Sequence, residues 1–177
     1  YKRQTYLDQQ SKLCGKELFL QSSKQYDKNL TLSSRAHDLS DEITEFYKSI
    51  SLCKECSLGH TRNKFVFGNG DPNADLLLIG EAPGEEEDLK GEPFVGRAGK
   101  LLNKILAAID KNRSDGVFIT NVLKCRPPNN RDPLLSEVDK CEPYLIKQIE
   151  IIKPKLIVAL GKISGTVSYT HLRAHET

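Results

Sequence analysis

No methionine occurs anywhere in the 177 residues, and the chain opens at Tyr1. That combination predicts that the true start lies upstream or has been processed away. No apolar run approaches the roughly 20 residues a membrane helix needs, and no leader-like succession of charged, apolar and small residues is found. The chain is accordingly read as a soluble, bacterial-type cytoplasmic protein with no membrane partner, and as a monomer. Net charge is also nearly lacking, at +2, so its distribution says more than its total. Lys124, Arg126 and Arg131 gather in one Pro-rich loop. Five cysteines without a leader argue against a disulfide framework and for metal or redox chemistry. The length is that of one domain with a real core.

What is present is organised around residues 76–102, LLLIGEAPGEEEDLKGEPFVGRAGKLL. An apolar run of the kind found in buried parallel strands stops at Gly80. A polar loop with Gly and Pro follows from Glu81 to Gly96, and then a helical pattern. Open α/β sheets place their ligands where strands empty into loops at their carboxyl ends. The site is expected here.

In chain order, residues 1–40 read as a polar extension, in part disordered, with Cys14 as an incidental thiol. A helix is predicted from near Ser40, where Ser-Asp-Glu-Ile offers a cap, with Ile43, Phe46, Tyr47 and Ile50 on one face. Phe65 to Phe67 reads as a short strand, Gly68 to Pro72 as a turn and Ala74 to Gly80 as the first parallel strand. Residues 97–110 put Leu101, Leu102, Ile105, Leu106 and Ile109 at helical spacing against the sheet. A strand at 116–123, a loop at 124–133, a helix at 136–152 and a strand at 156–161 complete the pattern. Alternating strands and helices predict an α/β fold, a three-layer αβα sandwich with a central parallel sheet.

Cys53 and Cys56 form a CxxC, which alone fits zinc, iron–sulfur or redox roles. Cys125 and Cys141 follow, with 68 residues between Cys56 and Cys125 and 15 between the later two. Zinc-ribbon pairs sit closer together than this. Four thiolates suit a [4Fe–4S] cluster, and the bland alternative is four buried apolar cysteines. His60 reads as a helix-terminal residue rather than a fifth ligand.

Residues 53–161 resemble the family 4 uracil-DNA glycosylases, the iron–sulfur members of their superfamily. The resemblance rests on the CxxC, GEAPGEEED at 80–88, GEPFVGRAGKLLN at 91–103, ITNVLKCRPPNNR at 119–131 and Cys141 followed by EPYL. It covers about three-fifths of the chain. It implies a uracil-DNA glycosylase-like fold and hydrolysis of the N-glycosidic bond of deoxyuridine in DNA. Uracil-containing DNA is then the partner, and the base must leave the stack to be read.

The resemblance makes Asn121 the base reader. A fixed carboxamide accepts from uracil N3–H and donates to O4, and cytosine presents the reverse pattern. Phe94 becomes the platform on which the base stacks, against the commoner role of a core anchor. Glu81 matches the family residue that positions water, with backbone of Ala82 and Pro83 lining the pocket. Of Glu85, Glu86, Glu87 and Asp88, one carboxylate is expected to shape the pocket through loop hydrogen bonds. Arg126, Asn130 and Arg131 are placed to meet DNA phosphates, or simply to be solvated.

Family members carry an HPxxLLR-like segment beyond the third strand, and its His donates to the leaving base. The THLR at 170–173 lacks the Pro and the spacing. Val167 to Thr177 resembles a translated sequencing adapter, so the native chain is expected to stop near Gly165 or Thr166, with His171 and His175 in no site. The expected division is an extension at 1–40, a truncated domain at 41–166 and a non-native tail at 167–177. Activity of such a fragment is expected to be impaired. The alternative from another class is a non-catalytic iron–sulfur or zinc module that binds nucleic acid. A glycosylase for a different damaged base is the third reading, and Glu81 in GEAPG favours uracil over it.

Overall fold

The computed structural model describes residues 32–167. The expectations for Cys14, for most of the extension and for residues 168–177 lie outside the described residues. Within them no helix is long and apolar enough to cross a membrane.

Helix α1 (Leu32–Ile50) starts a full two turns before the predicted cap. Ser40 lies inside it, and its carbonyl accepts a 2.7 Å bond from Thr44 Oγ1. The reason is packing, because Leu39 precedes Ile43 by one turn and leans on the same core. An apolar face prolonged upstream outweighs a residue that is able to cap. A short helix α2 (Leu58–Thr61) follows the CxxC, and His60 sits exposed in its last turn.

The sheet has four strands in the order β1-β3-β2-β4. Strands β2 (Leu76–Gly80), β3 (Val117–Asn121) and β4 (Leu156–Ala159) are parallel, as the alternation with helices predicts. Strand β1 (Asn69–Gly70) adds an antiparallel edge, which makes the sheet mixed. The predicted strand at Phe65–Phe67 is displaced to these two residues. Phe67 has no ladder partner because its carbonyl is taken by the side chains of Thr120 and Gln148. The turn falls later as well, at Asp71, whose carboxylate accepts from Asn73 N at 2.8 Å and whose carbonyl accepts from Ala74 N.

Both faces of the sheet are covered. Leu77, Ile79 and Phe118 point into one core with Ile43, Ile50, Leu145 and Ile152, contributed by α1 and by α5 (Leu135–Ile152). Leu78, Val117 and Ile119 point into the other with Leu102 and Leu106 from α4 (Arg97–Ala107). This is the predicted αβα sandwich. The predicted face of α4 is too wide, however, since Leu101, Ile105 and Ile109 are each more than half exposed. Successive helical residues are about 100° apart, so Leu101 and Ile105 cannot share the line of Leu102 and Leu106. The line is narrow because buried Gly99 brings the helix close to the backbone of Phe94.

Between β3 and α5 the chain is held by Glu137, which is 2% exposed. Its carboxylate accepts from Leu134 N at 2.9 Å and from both Nη atoms of Arg131, at 2.9 and 2.6 Å. The Arg131 guanidinium holds this carboxyl below the usual carboxylate value, against the opposing effect of burial. A carboxyl with a depressed folded-state pKa contributes stability above its unfolded value and loses it as pH falls through the folded one. The urea midpoint of the parent is therefore expected to fall more steeply on acidification below about pH 4.5 than that of Glu137→Gln.

Candidate active site and cysteine pocket

The register pairs Gly80 with Asn121, so two parallel strands end side by side. A Cβ built on Gly80 would collide with Asn121 Oδ1 and would lie 2.6 Å from Cε2 and Cζ of Phe94. The carboxamide and the aromatic ring thus converge over a residue that has no side chain to fill the gap. Asn121 is 2% exposed. Among the described residues its carboxamide has no hydrogen-bond partner. A buried amide left unsatisfied costs about 1–3 kcal/mol and calls for an explanation.

Phe94 is half-buried and has φ of +54°. For a bulky residue such a conformation costs about 1–3 kcal/mol and persists only where the surroundings impose it. Here they do. Arg113 donates from Nη1 to Pro93 O at 2.8 Å and from Nη2 to Phe94 O, while its Nε donates to Asn103 Oδ1. Burial lowers the pKa of Arg113, and Glu92 and Glu87 oppose that shift. From the other side Glu87 Oε1 accepts from Val95 N and Gly96 N, both at 2.8 Å, which also satisfies donors at the start of α4.

The acidic run opens helix α3 (Glu85–Lys90), where carboxylates complement the helix dipole. One of its acids shapes the Phe94 loop as expected, and a second is turned inward elsewhere. Glu87 shapes the Phe94 loop, and buried Asp88 accepts from the backbone N–H groups of Asn63 and Lys64 and from Asn63 Nδ2. Glu81 stands half-buried one residue past Gly80. Its Oε1 accepts from Ile163 N at 2.9 Å, at the start of the helical residues 162–167, and Oε2 has no partner among the described residues. Ala82 packs against the larger core and Pro83 is buried, so only their backbones are available to a ligand.

On the other side of the 121–125 segment, Cys53, Cys56, Cys125 and Cys141 line one pocket with Gly59, Arg62, Phe65 and Tyr144. All four are free thiols. Burial pushes Cys141 up to about 11 and raises Cys125, the latter against the effect of the Arg62 hydrogen bond. Among the described residues no three His, Cys, Asp or Glu side chains are close enough to hold one ion. Four free thiols lining one pocket form a donor set of the kind that thiolate-bound metal groups use, zinc and iron–sulfur alike.

The predicted cationic loop is largely engaged with the protein itself. Arg131 is bound to Glu137, and Arg126 donates to Asn130 Oδ1 at 2.8 Å with Glu85 at 3.8 Å. Lys124 is fully buried, which removes it from any surface patch. Its Nζ donates to Thr120 Oγ1, Asn121 O and Gln148 Oε1 at 2.6–2.7 Å. Burial brings its pKa down to about 7, opposed by Cys141 and Cys125. Its sequence neighbours gave no hint of this, and none marked Arg62 or Arg113. Tyr144 was detectable, since it stands three residues after Cys141 on one helix face.

The αβα domain thus brings an aromatic ring and an unpartnered carboxamide together at the carboxyl ends of two parallel strands. Residues 67–175 match the family model of the Uracil DNA glycosylase superfamily, and the chain belongs to that family. The Type-4 uracil-DNA glycosylase of Archaeoglobus fulgidus is 52% identical over 125 residues, covering 71% of this chain and 62% of that protein. Similar proteins of the same description occur in Sulfurisphaera tokodaii, at 51% identity covering 70% of this chain and 56% of the relative, and in Thermotoga maritima, at 49% covering 68% and 63%. The chain spans about three-fifths of the length of these relatives.

Gly80→Ala is expected to force Asn121 and Phe94 apart while leaving the sheet folded. The Asn121 carboxamide and Phe94 ring resonances should shift in NMR spectra of the variant, with little change in urea midpoint.

Proposed function

We propose that this protein hydrolyses the N-glycosidic bond of deoxyuridine in DNA, releasing uracil and leaving an abasic site. The observation that carries the reading is the buried Asn121 carboxamide, unsatisfied and facing the Phe94 ring. A flipped uracil meets both needs. Its face stacks on Phe94, and its N3–H and O4 pair with the carboxamide oxygen and nitrogen. Cytosine in the same pose leaves donor against donor and acceptor against acceptor, and such a site rejects it.

Bond breaking at C1′ leaves an oxocarbenium-like sugar and a uracil anion. The Asn121 amide N–H donates to the base where negative charge grows, an interaction stronger in the transition state than before it. Glu81, anchored through Oε1, presents Oε2 to a water that attacks C1′ and takes up its proton as the bond forms. The Arg113 and Glu87 contacts hold Phe94 in place before substrate arrives, so little ordering remains to be done on binding.

Cys53, Cys56, Cys125 and Cys141 are the residues that would hold a [4Fe–4S] cluster. When bound, the cluster supplies a covalent tie between the CxxC turn, the 121–125 segment and α5, together with a one-electron couple. The protein acts on uracil-containing DNA as a monomer inside the cell.

Full-length protein loaded with iron and sulfide is expected to generate alkali-labile sites in uracil-containing duplexes, and none in cytosine controls. Asn121→Ala should reduce the single-turnover rate by about 10²–10³. Phe94→Ala should weaken base binding by about 1–3 kcal/mol. Retention of such DNA without any abasic product would leave a binding module in place of an enzyme.

A further inference from the structure

The cysteine pocket is lined by more than sulfur. Arg62 Nη1 donates to Cys125 Sγ at 3.3 Å and Tyr144 Oη donates to Cys53 Sγ at 3.2 Å. Two backbone N–H groups add to them, Lys124 N to Cys141 Sγ at 3.3 Å and Glu55 N to Cys53 Sγ at 3.5 Å. Arg62 has little freedom to be elsewhere. Its Nη1 also donates to Cys53 O at 2.6 Å, its Nη2 to Ser51 O at 2.9 Å, and its guanidinium lies over the Phe65 ring at 5.1 Å from the centroid. One planar fork thus joins the carbonyls of Ser51 and Cys53 to a thiol more than sixty residues away. The Tyr144 ring packs edge-on against Phe46, which aims its hydroxyl.

We propose that Arg62 and Tyr144 are positioning residues of the metal centre that set its reduction potential and its retention. The inference rests on reading the four cysteines as a cluster ligand set. A cation and hydrogen-bond donors at the thiolates draw electron density from them. They favour the reduced cluster, which carries one more negative charge, and so raise the potential. The same contacts hold the ligands from separate segments in register, and outer partners of this kind are worth about 10–100-fold in metal affinity. Because Tyr144 contacts Cys53 and Arg62 contacts Cys125, these two thiolates are tuned from different segments of the chain.

The test uses the iron- and sulfide-loaded protein and the variants Tyr144→Phe, Arg62→Lys and Arg62→Gln. Potentials are read by mediated titration with dithionite and ferricyanide, and iron release by visible absorbance after addition of a ferrous chelator. Tyr144→Phe removes one hydroxyl and no packing, so it separates tuning from folding. Its potential is expected to drop below that of the parent. Arg62→Gln should drop further and lose iron about 10–100-fold faster. Arg62→Lys, which keeps the charge but not the fork, should retain more of the potential than the Gln variant. Parent-like potentials and release rates in Tyr144→Phe and Arg62→Gln would overturn the inference. A parent that takes up neither iron nor sulfide would instead overturn the cluster reading on which it stands.

Discussion

The constraint on which the rest depends is the parallel register of β2 on β3. Leu76 faces Val117, and the pairing runs without a slip to Gly80 opposite Asn121. Because side chains alternate along a strand, a shift of one residue would turn Asn121 away from Phe94 and drive Leu77 and Ile79 out of their core. The two apolar clusters, one on each face, make such a shift prohibitive. Pairing continues past the strand ends through Val122 N to Gly80 O and Leu123 N to Glu81 O. The chain is thereby still rigid where the pocket begins.

The short segment 121–125 serves two masters. Its first residue presents a carboxamide to the pocket and its last presents a thiol to the cysteine cluster. Between them Lys124 folds back, and its ammonium grips the carbonyl of Asn121 and the side chains of Thr120 and Gln148. A buried cation bonded only to neutral oxygens is expensive unless negative charge lies close by. The fall of the Lys124 pKa to about 7 on burial expresses that cost, with Cys141 and Cys125 opposing it only in part. Order in the cysteine pocket and order in the base pocket are therefore properties of one stretch of backbone.

Much of this was legible before any coordinates. Apolar runs such as LLLIG and the alternation of strand with helix sufficed for the sandwich, and the family resemblance singled out Phe94 and Asn121, which the fold brings together over Gly80. What escaped was whatever depended on distance rather than order. The α1 start was misplaced because a capping signal at Ser40 is local, while the packing of Leu39 is not. The Phe65–Phe67 strand was misplaced because side chains of Thr120 and Gln148, remote in sequence, take the Phe67 carbonyl. Charge was the least transferable cue: Lys124 and Arg131 read as surface cations, yet one is buried and the other is clamped by Glu137. Arg62 and Arg113 act through backbone carbonyls, and no pattern of residue types announces such contacts.

The burial of Lys124 has a practical side. Trypsin must thread an extended segment into its cleft and seat the basic side chain in a deep specificity slot. The Lys124–Cys125 bond offers neither while Nζ is enclosed between β3 and α5. Scission at that bond is thus a proxy for opening of the central layer, and it reports on both pockets at once because they share that one rigid hinge of chain.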